Sequence, residues 1–442
     1  MTRPVVYLTL PGLAADDVDR MPALAGRVGA SRTRVEHSFP CVTWPAQAAM
    51  LTGEAPNQSG VVANGFYWRD EDEVEMWTAW NDRIERPQIW EMLRGAEKSF
   101  SSAAWFPMLS KGSRADVICM PAPVHNPDGS ESPWCYSKPE ALYGQLMDRL
   151  GPFPLMNFWG PMANIKSSKW IAESAVMAMD LFRPDFFYIY LPHLDYAAQR
   201  HGPDSPEAEA AVQELDALLA DWFPAVERAY GDHRPIFVAQ SEYTIVPVNH
   251  VAYPNRILRK LGLLALKEAN GQEEIDRRAS KAWALVDHQF SHIFVRDADA
   301  TTIAAIKREL EATEGFAEVL AMEERRKYAM DHPRSGEIVA ISTPNSWQAY
   351  YWWEADDKAP AYARTVDIHQ KPGYDPVELF FDSATKSIPL DATLVKGSHG
   401  APAVADEQRG VLLCSEPTWF PEVSIPDQGI SMRIVQKMDG RG

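Results

Sequence analysis

Three short apolar runs in this chain each stop abruptly in turn-forming or polar residues, and that punctuation constrains the fold more than any other feature. Residues 5–10 run into Pro11-Gly12, residues 186–191 into Pro192-His193-Leu194-Asp195, and residues 236–239 into Gln240-Ser241-Glu242-Tyr243. Runs of this length without polar alternation describe strands buried on both faces, which calls for a parallel sheet covered by helices. In open α/β sheets, ligands sit beyond the carboxyl ends of the strands. The residues that end these runs are therefore the first candidates for chemistry.

Helical periodicity fills the intervals. Met21, Leu24, Ala25 and Val28 share one side of residues 17–28, and residues 46–51 form a helix closed by Thr52-Gly53. Two further helices, over 168–183 and about 206–230, lead into the second and third strands. This alternation predicts a mostly parallel α/β core with helices on both faces, spanning residues 1–251 and 363–442. Residues 64–137 carry Trp68, Trp77, Trp80, Trp90, Trp105 and Trp134, an irregular elaboration held by its own rings. Residues 252–362 read as a smaller inserted α+β unit, with strands at 282–286 and 292–295 and helices at 302–313 and 316–328. The chain is expected to rejoin the main sheet near 377–381.

The 442 residues, 46% of them hydrophobic, suffice for a large core. A formal charge of -18 argues against a nucleic-acid polymer or an anionic membrane as partner. Cys41, Cys119, Cys135 and Cys414 are scattered, without the spacing of a disulfide framework. No apolar stretch approaches the ~20 residues that span a bilayer. Met1-Thr2-Arg3-Pro4 leads directly into the first strand without the features of a signal peptide. A cytoplasmic protein is the expectation, and nothing in the sequence speaks to its oligomeric state.

Thr43 is the candidate nucleophile. It lies between Pro40 and Pro45 at the front of a predicted helix, where free N–H groups favour an anion. An isolated threonine there would be a helix cap, and its hydroxyl needs a base or metal to attack. Asp195, Glu242, His399 and His193 lie at or near strand ends, where one mixed oxygen/nitrogen site could hold a single divalent cation, Zn²⁺ or Mn²⁺. Gln47, Asn64, Gln199, Tyr243 and His369 are the candidate substrate contacts. His288 and His292 read as structural or cleft-lining residues.

In their order these segments resemble the alkaline phosphatase superfamily, particularly its nucleotide pyrophosphatase/phosphodiesterase branch. Pro40-Cys41-Val42-Thr43-Trp44-Pro45 resembles the family's Thr-Phe-Pro nucleophile turn, and Leu51-Thr52-Gly53 its Val-Thr-Gly continuation. Gly60-Val61-Val62-Ala63-Asn64 is similar to a His-Gly-Ile-x-Gly-Asn stretch. Asp195 followed by Gly202-Pro203-Asp204-Ser205 resembles Asp-x-x-x-His…Gly-Pro-Asp-Ser. Ser241-Glu242-Tyr243 takes the place of Ser-Asp-His, and Gly397-Ser398-His399-Gly400 that of Gly-x-His-Gly.

The resemblance implies two zinc ions at the strand ends. Carried over by position, one would be held by Asp195, Gln199 and His399, the other by Pro11, Glu242, Tyr243 and Thr43. Pro11 has no side-chain donor, Gln199 is a poor zinc ligand, and Glu242 and Tyr243 depart from the family's Asp-His pair. The expectation is thus a divergent metal-dependent hydrolase of small phosphoesters with Thr43 as nucleophile, holding one ion rather than two. The alternative is a non-catalytic or altered-reaction member, acting on a phosphonate or sulfate ester, that has lost the two-zinc centre.

Overall fold

The computed structural model describes residues 3–95, 100–125 and 131–440. A nine-stranded sheet organises them, in the order Ser424–Pro426, Ser31–Glu36, Gly410–Cys414, Ile236–Gln240, Val5–Thr9, Phe186–Tyr190, Ser102–Trp105, Val117–Pro121 and Cys135–Lys138. From Ile236–Gln240 to Val117–Pro121 the strands run parallel, and antiparallel neighbours flank them on both sides. Every residue of the three central runs is buried, as their lack of alternation requires.

Two groups of helices share the core with this sheet. Pro22–Val28 and Ile165–Phe182 pack on the long helix Pro206–Tyr230, while Thr43–Thr52 and Ile89–Arg94 pack on Gln428–Asp439. Among the described residues no helix is long and apolar enough to cross a membrane.

Register decides where chemistry can occur. Val5 lies opposite Phe186 and Ile236, and Thr9 opposite Tyr190 and Gln240, so the three central strands end level. Pro11-Gly12, Pro192-His193 and Ser241-Glu242-Tyr243 therefore leave the sheet at one rim. The backbone locks them there: Gly12 N–H donates to the Tyr243 carbonyl at 3.0 Å.

The tryptophan-rich segment is less irregular than its composition suggests. It supplies Ser102–Trp105, Val117–Pro121 and Cys135–Lys138 to the main sheet. Residues 377–381 do not rejoin that sheet. Pro376–Leu379 is a short 3-10 turn, because Glu378 inside the apolar run is drawn to buried Lys371, with Asp375 on its other side. The returning strand is instead Gly410–Cys414, whose buried run fills the space between Ile236–Gln240 and Ser31–Glu36. Residues 316–328 form a strand, Phe316–Ala321, followed by a 3-10 turn rather than one helix.

A second, antiparallel sheet takes the order Ala282–Asp287, Phe290–Val295, Ile338–Ser342 and Phe316–Ala321, with helix Ala300–Glu311 against it. It builds its own core around Trp283, Phe294, Ile306 and Trp347. The segment carrying His399 threads between the two bodies. Gly397 is required there, since a Cβ at that position would lie 2.2 Å from the Ala198 carbonyl oxygen. Gly397→Ala is expected to cost about 1–3 kcal/mol by overpacking, read as a lower urea midpoint with an unchanged m-value.

Candidate functional site

Thr43 is the first residue of helix Thr43–Thr52, entered from extended Val42 and closed by left-handed Gly53. Its hydroxyl lies 3.3 Å from the Tyr243 hydroxyl, which donates in turn to Asp195 Oδ1 at 3.4 Å. Asp195 is not on a loop. It occupies the first turn of helix His193–His201, so that Gln199, four residues on, shares its face. Gln199 Nε2 donates to Asp195 Oδ2 at 2.8 Å, and Gln199 Oε1 accepts from the Tyr374 hydroxyl at 2.7 Å.

His399 closes the group from the other side. Its Nδ1 lies 2.7 Å from the Cys41 carbonyl. A carbonyl can only accept, so Nδ1 carries the hydrogen and Nε2 presents a lone pair. That atom is buried without a partner, 3.9 Å from Asp195 Oδ1. The His399 ring lies flat against Tyr243, centroids 3.6 Å apart and planes 5° apart. His288 covers it from another side at 3.9 Å and stacks on Tyr374 at 3.5 Å.

Two further carboxyls support this layer. Glu242 is wholly buried and accepts from Gln47 Nε2 at 3.0 Å, while Gln47 Oε1 accepts the Met108 N–H at 2.7 Å. Asp287 bonds His288 Nδ1 and accepts from the Asn64 backbone at 2.7 Å and side chain at 3.1 Å. Asn64 Oδ1 then accepts the Trp44 N–H at 2.9 Å. With that donor taken and Pro45 lacking one, the anion-binding helix start expected from the sequence is reduced.

Burial dominates the electrostatics. It pushes Asp195 up to about 7, against the opposing hydrogen bonds of Gln199 and Tyr243. Glu242 rises to about 8 for the same reason, opposed by donors from Thr9, Gln47 and Tyr188 and reinforced by the Asp195 charge. Asp287 rises to about 6. Burial lowers His288 and His399, which keeps both rings neutral at ordinary pH.

Of the residues singled out from sequence, Thr43, Asp195, Gln199, Tyr243 and His399 come together, with Glu242, Gln47 and Asn64 bonded around them. His193 does not join them. Its ring turns to Glu214 on the neighbouring long helix, at 2.8 Å. His369 bonds the Met76 carbonyl and lines a separate cavity of about 270 Å³ beside Asp72, Trp352 and Tyr362. Sequence reasoning did not single out Tyr374 or Asp287, and it read His288 only as a structural or cleft-lining residue. Asp287 carried a usable signal: another buried run, 282–286, stops at an acid followed by histidine.

The donor set does not fit two ions. Among the described residues, no three His, Cys, Asp or Glu side chains form a group able to hold a metal. Asp195 and His399 are two donors, whereas a catalytic zinc takes three protein ligands. Gln199 spends its amide on Asp195, and Tyr243 fills the remaining approach with a ring.

A model of the family described as type I phosphodiesterase / nucleotide pyrophosphatase matches residues 5–375. The chain belongs to this family. Its members are hydrolases of phosphoester bonds within the alkaline phosphatase superfamily. An uncharacterized pyrophosphatase/phosphodiesterase of Schizosaccharomyces pombe is 22% identical over 218 residues, 48% of this chain and 38% of that protein's length. Phosphonoacetate hydrolase of Sinorhizobium meliloti, solved with phosphonoformate, superposes with a TM-score of 0.64 at 17% identity, covering 99% of this chain and 96% of that one. Murine ectonucleotide pyrophosphatase/phosphodiesterase 5, an inactive variant with AMP, gives 0.62 at 14% identity and coverages of 99% and 95%. These likenesses establish the alkaline-phosphatase-like fold.

Glu242 generates a signed expectation about stability. With its native pKa raised, the folded chain keeps a proton that the unfolded chain loses once the pH passes its ordinary value. Stability from this group is thus full below about pH 4.5 and is lost as the pH climbs to about 8. Glu242→Gln is expected to be more stable relative to the parent at about pH 8 than at about pH 5, by roughly 2–4 kcal/mol. Urea unfolding at the two pH values measures the difference.

Proposed function

We propose that the chain is a phosphoester hydrolase in which Thr43 is the nucleophile and Asp195 its base, acting through Tyr243. The chain of hydroxyls from Thr43 to Tyr243 to Asp195 carries this reading. As the Thr43 oxygen bonds to phosphorus, its proton passes to the Tyr243 oxygen, and the Tyr243 proton passes to the Asp195 carboxylate. The bond from phosphorus to the leaving oxygen breaks, and Asp195 returns the proton to that oxygen, releasing the alcohol. Water then attacks the phosphothreonine, and its proton travels back along the same chain to Thr43. A base near neutrality suits both directions of transfer. Small phosphoesters or phosphonates are the substrate class, in line with the AMP and phosphonoformate held by the structural relatives. Four free, buried cysteines suit a reducing compartment, and we place the protein in the cytoplasm.

A second reading, a non-catalytic member, is favoured by one observation. Thr43 is 5% exposed, and its hydroxyl meets the Tyr243 hydroxyl, with the Asp195 carboxyl beyond, rather than a lysine or arginine that would receive a phosphate.

Turnover decides between them. Purified protein is tested on bis-p-nitrophenyl phosphate, a dinucleotide pyrophosphate, p-nitrophenyl phosphate and phosphonoacetate, with and without added Zn²⁺ or Mn²⁺. The hydrolase reading expects at least one to be cleaved, Thr43→Ala to lose ~10³-fold or more in kcat, and Thr43→Ser to retain turnover. No cleavage of any substrate leaves the second reading standing, and full activity in Thr43→Ala removes Thr43 as the nucleophile.

A further inference from the structure

Four positions separate this centre from the two-zinc arrangement that the family resemblance implies: Pro11, Gln199 and Tyr243, and Glu242, which keeps a carboxylate. None is an idle substitution. Gln199 and Tyr243 make contacts that a zinc-binding histidine could not make, and Pro11 supplies no side-chain donor.

Gln199 is engaged at both ends of its amide, donating to Asp195 Oδ2 and accepting from Tyr374. An imidazole at this position would offer no oxygen to Tyr374. Pro11 ends the first strand with no side-chain donor, and Gly12 behind it, at φ 81, turns its N–H onto the Tyr243 carbonyl. That bond fixes the backbone from which Tyr243 projects. The Tyr243 ring lies on His399 at van der Waals distance, and its hydroxyl stands 3.3 Å from Thr43 and 3.4 Å from Asp195. Glu242 is held by the neutral donor Gln47. The stacked rings of Tyr243, His399, His288 and Tyr374 occupy the interior between Asp195 and Asp287.

We infer that the ion centre has been replaced by a metal-free one, in which the Tyr243 hydroxyl takes the place of a cation between Thr43 and Asp195. The protein folds with this site free of zinc and manganese. Tyr243 has two parts in it: its ring orients His399, and its hydroxyl, the proton relay of the proposed reaction, sets the distance from Thr43 to Asp195. Two buried atoms argue the other way: His399 Nε2, a lone pair with Nδ1 anchored on a carbonyl as second-shell partners anchor metal-bound histidines, and Glu242 Oε2, which makes no hydrogen bond of its own. Among the described residues these atoms and Asp195 do not gather into a group of three ligands able to hold an ion. This inference rests on the proposed function for the role of Thr43, but its test reads metal content and stability rather than turnover.

The full chain is purified, stripped with EDTA, incubated with excess Zn²⁺ or Mn²⁺, desalted and assayed by elemental mass spectrometry alongside thermal unfolding. The expected result is well under one ion per chain and a melting temperature that neither EDTA nor metal moves. The triple variant Pro11→Asp/Gln199→His/Tyr243→His is expected to gain stoichiometric zinc with a zinc-dependent rise in Tm. Tyr243→Phe, which preserves the ring stack, guards against a triple variant that fails to fold. It is expected to remain metal-free. About one ion per chain in the parent, released by Asp195→Asn and by His399→Ala, overturns the inference. Metal-free protein without turnover defeats the catalytic reading alone, and metal-loaded protein that hydrolyses phosphodiesters defeats this inference alone.

Discussion

The level ending of three parallel strands is the constraint from which the rest of the site follows. Thr9 lies in register between Tyr190 and Gln240, so the residues after them arrive at one rim in a fixed order. A shift of one residue in either pairing would exchange the faces of every side chain along the strand. Because the strands are buried on both faces, such a slip would strand large aromatic and branched residues without partners. Strong specification of the sheet therefore positions Pro11, Asp195 and Glu242 as a by-product of packing.

What gathers at that rim is a polar layer with little access to water. Asp195, Glu242 and Asp287 are each buried, and each is answered by neutral donors: Gln199 and Tyr243, Gln47, and Asn64 respectively. Low local dielectric strengthens such bonds and makes every unpaired atom costly, so a network of this kind is stable when nearly complete and poor when half made. Lys371 shows the contrasting solution elsewhere in the chain, a buried cation between Asp375 and Glu378. At the Thr43 site the chain relies on raised carboxyl pKa values and amide donors instead.

The glycines near the site serve approach rather than flexibility. Gly397 lets the returning segment touch the Asp195 helix, and Gly400, at φ 118, turns the chain past Val42 and His288. Together they deliver His399 to Tyr243 at stacking distance. The second body contributes Asp287 and His288, so the site belongs to the seam between two cores rather than to either one.

Much of this was legible in the chain itself. Three buried runs with abrupt ends specify a parallel sheet and its functional rim, because hydrophobic pattern and strand burial are local properties of sequence. The candidates Asp195 and Tyr243 follow from position relative to those ends, Thr43 from its proline-bracketed turn ahead of a helix, His399 from its glycine-flanked segment, and Gln199 from the family resemblance. The strand Gly410–Cys414 was not recovered, because a five-residue apolar run does not announce its sheet partner. The direction of His193 was decided by Glu214 on another helix, and the place of Tyr374 by Gln199, more than a hundred residues away in sequence. Side-chain orientation depends on distant partners, and so do the depth of burial that raises Asp195 and the ring stack of Tyr243, His399, His288 and Tyr374. Those only the tertiary structure could decide.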